Sequence, residues 1–440
     1  MPARRGLPCS WPDHMKILGQ VCQGFAIITA VVMLAGCAAL PRDAPPTGDL
    51  PAPVGFSANV RTASIDWRRF QRETKDIVAR AAHSAADGKI HILAISGGGS
   101  GAAYGAGALV GWSRAGTRPT FQIVTGVSAG ALIAPLAFLG SDWDGELRRA
   151  FSGEASRDLL QSRWLGVFFG ASVYRGRPLR DLVDRFVTPA LVSAVAAEAA
   201  KGRLLLVATT DLDREQTVLW NLGEIARHGG EPARRLFRDV LVASASIPGI
   251  FPPALIRVQQ GGRIYEEVHV DGSTTASLFI APEVASILPG VADGVRGAET
   301  YVMVNGQLAA REHAARLQTF SLLKRGLVVS MRSSLRSAAE TALLTADELD
   351  MEIRMSEIPD DYPFRGPLDF DPDRMSRLFE FGLRCGSQDR IWATPLQTLE
   401  RNDPFQPGDE LSTRMSTRNP VACPAPPAPG QLQTAARVGD

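Results

Sequence analysis

The 440-residue chain has almost no charge imbalance: 47 Lys and Arg stand against 46 Asp and Glu, a formal net charge of +1. Basic and aromatic residues are not interleaved either, so the electrostatic footprint of a nucleic-acid binder is missing and no nucleic-acid partner is expected. Cysteine and histidine are scarce, five and six residues, and no spacing among them has the form of a metal site. No metal and no cofactor are therefore expected. No repeat period is found, which argues against solenoids and propellers. The apolar run Val21 to Met33 is shorter than the roughly 20 residues a membrane span needs.

Glycine is plentiful by contrast, with 42 residues, and two clusters of it follow apolar runs. Thr125-Gly126-Val127-Ser128-Ala129-Gly130 comes directly after Phe121-Gln122-Ile123-Val124 and before the helical Ala131-Leu132-Ile133. Strand, sharp turn and helix are the context in which Gly-x-Ser-x-Gly forms a nucleophile elbow. Gly126 and Gly130 permit the turn, and Ser128 projects from it beside a helix N-terminus that favours developing negative charge. Upstream, the strand-like Ile90 to Ile95 runs into Ser96-Gly97-Gly98-Gly99-Ser100-Gly101. Backbone N–H groups of Gly97, Gly98 and Gly99 suit a phosphate or an oxyanion. A dinucleotide loop is the rival reading, but no acidic residue closes the next strand, which ends in Thr125-Gly126-Val127-Ser128. A plain strand-to-helix loop is the other.

A third element is Ala243-Ser244-Ala245-Ser246-Ile247-Pro248-Gly249-Ile250-Phe251-Pro252-Pro253, followed by Val268-His269-Val270-Asp271-Gly272-Ser273. With these three stretches in this order the chain resembles the patatin-like phospholipase family, over about Lys89 to Gly306. Ala208 to Asp213 and Val302 to Gly306 are weaker family-like stretches. The resemblance implies a three-layer α/β/α fold with a mainly parallel central sheet, and C-terminal helical additions follow it here. It also implies a Ser–Asp dyad of Ser128 and Asp271 without histidine, an oxyanion loop at Gly97, Gly98 and Gly99, and an acyl-serine intermediate. Many members carry Arg or Lys after the glycines, whereas this chain has Ser100-Gly101; Ser273 for a second glycine is a milder departure.

Alternation puts His269 and Asp271 on one face of a strand, so a Ser–His–Asp arrangement also fits the spacing. The expected activity is hydrolysis of ester bonds in phospholipids, lysophospholipids or related acyl esters. An acyltransferase using the same acyl-Ser128 and a non-catalytic scaffold lipoprotein are the alternatives.

Residues 1–37 read as a lipoprotein signal peptide, with translation starting at Met1 or Met15 and a lipobox-like Leu34-Ala35-Gly36-Cys37. Lipid attachment at Cys37 would anchor the protein to the cell envelope, facing the periplasm from the outer membrane if the host is Gram-negative. Residues 38–86, with five prolines, are expected to be a tether, 87–310 the catalytic domain, 311–418 a helical extension packed on it, and 419–440 a disordered tail. Strands are expected near 90–95, 121–127, 203–210, 217–220, 264–270 and 300–305. Helices are expected near 104–115, 129–139, 177–198 and 233–245. Phe320, Leu323, Leu327, Met331 and Leu335 share one face of a later helix opposite Lys324, Arg325, Arg332 and Arg336, suited to packing on the sheet or to anionic lipid. Cys385 and Cys423 are a disulfide pair or two thiols. Asp211 and Asp213 fit a cation or a turn. Phe151, Trp164, Phe168, Phe169 and Tyr174 are candidates for an acyl pocket or for core. Oligomeric state is not legible.

Overall fold

The computed structural model describes residues 42–46, 48, 50–63, 84, 85, 88–153, 155, 176–279, 295–309, 314, 315, 317–348, 350–394, 397, 398 and 423. The signal segment with Cys37, the tail other than Cys423, and Trp164, Phe168, Phe169 and Tyr174 lie outside these residues.

The strands are β1 (Ala52–Pro53), β2 (Arg61–Ala63), β3 (His91–Ile95), β4 (Ile123–Val127), β5 (Leu204–Asp211), β6 (Gln216–Asn221), β7 (Ala254–Gln260), β8 (Arg263–Asp271), β9 (Glu299–Met303) and β10 (Glu352–Ser356). The helices are α1 (Ala102–Ala115), α2 (Ala129–Leu139), α3 (Asp144–Phe151), α4 (Gly176–Phe186), α5 (Pro189–Ala200), α6 (Leu222–His228), α7 (Gly230–Ser244), α8 (Thr319–Glu348) and α9 (Pro372–Ser387). All ten strands belong to one sheet in the order β1-β7-β8-β5-β4-β3-β9-β10, with β6 on β5 and β2 on β6. The central strands β5, β4, β3, β9 and β10 run parallel. Every residue of β3 and β4 is buried, as continuous apolar runs covered on both faces must be. An apolar cluster lies on each face, one with α1, α2, α7 and α9, the other against Leu335, Ala339 and Ala342 of α8. The fold is α/β with helices on both sides of a largely parallel sheet.

Antiparallel pairing of β1, β7 and β8, and of β2, β6 and β5, builds the flank. β7 was not expected, although Ala254, Ile256 and Val258 are buried in strict alternation with exposed Leu255 and Arg257; the prolines just before it obscure the pattern. The expected long helix over 177–198 is two, because Thr188 caps α5 through Leu191 N and Pro189 starts it.

Three domain expectations need correction. Residues 50–63 are not a free tether: β1 and β2 add to the sheet and Arg61 is 2 % exposed beside Glu267. The prolines fit because Pro51 and Pro53 sit at a two-residue edge strand, where a missing N–H costs least. The segment after residue 311 is not purely helical, since β10 pairs in register with β9 and so continues the central sheet. Cys423, in the expected tail, is buried and disulfide-bonded to Cys385 of α9, which settles the pairing left open. Among the described residues no helix is long and apolar enough to cross a membrane.

α1 and α9 meet backbone to backbone. A Cβ on Gly107 would lie 2.9 Å from the Phe379 carbonyl carbon, and one on Gly386 would lie 2.8 Å from the Trp112 nitrogen. Gly111 and Gly382 sit in the same seam.

Candidate active site

The register of β5 brings Ser128 and Asp271 together. Val127, the last residue of β4, partners Ala208; the next residue of β5, Thr209, partners Asp271, the last residue of β8. β4 and β8 thus lie end to end along one edge of β5, one parallel and one antiparallel to it, with their C-terminal ends facing. Ser128 Oγ donates a 2.5 Å hydrogen bond to Asp271 Oδ2. Oδ1 accepts from Ser273 N at 2.8 Å, which fixes the carboxylate plane.

Ser128 sits at φ 55 and ψ −125, a conformation side chains rarely adopt, and it is held there by its surroundings. Its N–H donates to Ser244 Oγ at 2.9 Å, and Ser244 Oγ donates to Ala208 O at 2.7 Å. The flanking glycines are required by close approach: a Cβ on Gly126 would meet Gly130 O at 2.7 Å, and one on Gly130 would meet Ser96 O at 2.5 Å. The sequence marks Gly126 and Gly130, but the link from Ser244 spans 116 residues and has no local signal.

Of the three glycines expected to offer N–H groups, Gly97 does not. Its N–H donates to Ser277 O at 3.1 Å, and it lies against Ser128 and Ser273. Gly98 and Gly99 have no acceptor for their N–H groups among the described residues. Both have positive φ, 156° and 55°, and the carbonyls of Asn305 and Pro367 crowd where their side chains would be, so only glycine fits. Asn305 braces this loop by donating from Nδ2 to Ser96 O at 2.8 Å and from its backbone N to Ser96 Oγ at 2.9 Å.

His269 faces a different set of partners. Its Nδ1 is 3.0 Å from Thr209 Oγ1 and its Nε2 is 3.2 Å from Glu267 Oε2. Glu267, held at about 2, is a carboxylate and can only accept, so Nε2 donates to it, while Nδ1 faces the Thr209 hydroxyl. Neither nitrogen is directed at Ser128, which removes His269 as its base. Burial alone would raise Glu267, but the bonds from His269 and Arg61 outweigh it. Asp211, Glu267 and His269 approach one another as metal ligands would. Arg61 and Arg214 already fill that role, reaching Glu267 at 2.5 and 2.8 Å, with Arg214 also on Asp211 at 2.9 Å. Asp211 also caps the following turn through Asp213 N, so the turn reading of this acidic pair holds.

Asp271 is buried, and burial pushes its carboxyl up to about 6 against the hydrogen bonds from Ser128 and Ser273. A carboxylate with raised affinity for protons is a better acceptor of a serine proton than an ordinary one. Ser128 borders an apolar cavity of about 60 Å³ lined by Gly99, Leu132, Phe151, Phe251, Phe370 and Met375 among others. Ala129, the first residue of α2, also lines it, bringing that helix's N-terminal dipole to the serine. Leu132, Phe151 and Leu182 are shared with a second apolar cavity of about 50 Å³ that reaches Val187 and Leu241. Phe370 and Met375, from the C-terminal third of the chain, were not expected at the site.

Residues 93–282 match the family model described as Patatin-like phospholipase. Among solved structures, VipD from Legionella pneumophila aligns with 10 % identity and a TM-score of 0.31, covering 78 % of this chain and 71 % of that one. Human GIVD cytosolic phospholipase A2 aligns with 13 % identity and a TM-score of 0.30, covering 64 % of this chain and 52 % of that one. No curated protein matches the chain by sequence.

Proposed function

Over residues 93–282 the chain belongs to the patatin-like phospholipase family, and on that premise we propose that it is a serine acyl hydrolase working through a Ser128–Asp271 dyad. The observation that carries the reading is the 2.5 Å hydrogen bond from Ser128 Oγ to a buried carboxylate, beside an apolar cavity. Ser128 Oγ attacks the ester carbonyl while its proton passes to Asp271 Oδ2. The oxyanion is received by the N–H groups of Gly98 and Gly99, each such donor being worth about 3 kcal/mol in comparable sites. Asp271 then protonates the departing alcohol, leaving acyl-Ser128. A water molecule gives its proton to Asp271 and attacks the acyl carbon, and as the carboxylic acid leaves, Asp271 returns that proton to Ser128 Oγ. The acyl chain occupies the cavity between Leu132 and Phe151, and the substrates are phospholipids, lysophospholipids or related acyl esters.

The same proposal places the protein at the cell envelope, anchored through a lipid on Cys37. Because residues 50–63 are built into the sheet, the slack between Cys37 and the body is short.

The test is labelling by a fluorophosphonate probe together with ester hydrolysis, both followed against pH. Labelling at Ser128 is expected, located by peptide mass analysis. Since Asp271 must be ionised to accept a proton and its pKa is about 6, kcat/KM should fall tenfold per pH unit below about 6 and level off above it. A break near 4 instead would mean that the base is an ordinary solvated carboxylate. No labelling of Ser128 in folded protein would overturn the hydrolase reading.

A further inference from the structure

Beside the serine cavity lies a larger one, of about 490 Å³, which shares Met375 with it and begins at Ser100, next to Gly99. Its walls come from the segment around Tyr362 to Asp369 and from the start of α9, all beyond the family-matched residues. Three arginines line it, Arg365, Arg374 and Arg377, against one carboxylate, Asp369. Arg374 is committed: it donates two 2.6 Å hydrogen bonds to Asp369 and lies 3.6 Å from Asp371. Arg365 and Arg377 make no ion pair or hydrogen bond among the described residues, so two guanidinium groups stay uncompensated in one concavity. The wall that carries Arg365 is docked onto the glycine loop itself. Ser100 N–H donates to Pro367 O at 2.9 Å and Ser100 Oγ donates to Gly366 O at 3.1 Å.

We propose that this cavity is a phosphate-binding site for the substrate's head group, with Arg365 and Arg377 holding the phosphate while the acyl ester lies against Ser128. The proposal rests on the hydrolase reading above and narrows it to esters whose alcohol part bears a phosphate. Guanidinium groups match a phosphate's oxygens in planar, paired geometry and are weakly hydrated, which favours them over other cations for this task. Size agrees: the cavity is many times the roughly 30 Å³ a water molecule takes in the liquid. Placement agrees as well, because the two cavities share Met375 and border adjacent residues of the glycine loop, Gly99 on the acyl side and Ser100 on the arginine side. An ester with a chain at one end and a charged group at the other would fill both, with its carbonyl between them. Arg365 and Arg377 act on binding and selectivity, and neither touches the reacting atoms.

The experiment compares two monomeric esters with the same acyl chain, an acylglycerol phosphate and the corresponding neutral acylglycerol. The wild type is expected to favour the phosphate-bearing ester at least tenfold in kcat/KM, and that ratio should shrink as salt is raised toward about 0.5 M. In an Arg365→Gln/Arg377→Gln variant with an unaltered melting curve, the ratio should fall at least tenfold, mainly through KM. Inorganic phosphate should inhibit the wild type competitively and the variant much less. A wild type that hydrolyses the neutral ester without preferring the phosphate ester overturns this proposal and leaves the hydrolase reading intact. If phosphate ion inhibits while no preference exists, the cavity binds free anion and the head-group assignment is overturned. A ratio untouched by the double substitution also overturns it. Turnover of neither ester, with Ser128 unlabelled, removes the hydrolase premise itself.

Discussion

Asp271→Asn is expected to abolish activity and stabilise the protein at once. In the wild type, Asp271 is buried and its carboxyl is raised from the ordinary 3.8 to about 6. A raised pKa means that the folded state prefers the neutral form. The associated stability is therefore fully present below about 3.8 and is lost as pH rises through about 6. Above pH 7 the protein pays for an ionised, desolvated carboxylate, on the order of 3 kcal/mol for a shift of about two units. Asparagine has no such cost and can still accept from Ser273 N. The variant should gain about 2 kcal/mol in urea denaturation at pH 8, and the gain should vanish below pH 4. Activity should fall about 10³-fold or more, since no group remains to take the serine proton. Ser128→Ala should cost about 10⁴-fold or more. Equal stability of Asp271→Asn and wild type at pH 8 would mean that the carboxylate is solvated and that its role as a tuned base is wrong.

Arg61→Met should be among the most destabilising single substitutions in the chain. Its guanidinium is buried over the Trp220 ring at 5.0 Å and bonded to Glu267 and to the Pro51 carbonyl. Removing it strips a charge partner from Glu267, a carboxylate with no solvent access. Breaking one side of a buried pair costs about 3 to 5 kcal/mol. Replacing both members, as Arg61→Met/Glu267→Met, should cost less than the two single changes added together, because the two buried groups are then removed together and Arg61 is not left without its carboxylate. The pH dependence has a definite sign. Glu267 is lowered to about 2, so its contribution is present above about 4.5 and is lost as pH falls through 2. Arg61→Met should weaken the fold at neutral pH and flatten its dependence at acid pH. A loss under 1 kcal/mol at pH 7 would show that residues 50–63 are not held as described.

How far the chain could be read depended on whether a feature was local. Ser128, Gly126, Gly130 and Asp271 are legible because sharp turns demand particular residues at fixed offsets, and β3, β4 and β5 because strands buried on both faces are continuously apolar. The partner of Arg61 is not legible, since it is set by strand pairing across 206 residues and a lone arginine in a proline-rich stretch looks solvated. Proline content likewise suggested a tether where two short strands complete the sheet. The loss of Gly97 as a donor depends on where Ser277 comes to rest, which no spacing reveals. His269 stood as a rival base on alternation alone. Alternation fixes the face of a strand, whereas Asp271 meets Ser128 because it sits at the strand's very end, beyond β4. The arginines of the larger cavity lie outside the motif-bearing region and had no signal.

The glycine seam between α1 and α9 sets the smallest piece of this protein that can fold. Trimming the gene to residues 93–282 would keep every motif yet delete α9, β9 and β10. The bare backbone of Gly107 and Gly111 would face water, and the sheet would end at β3 with its edge open to any passing strand. Such a fragment would be an aggregation hazard, so shuffling this catalytic unit into another protein requires carrying residues 50 to about 394 together.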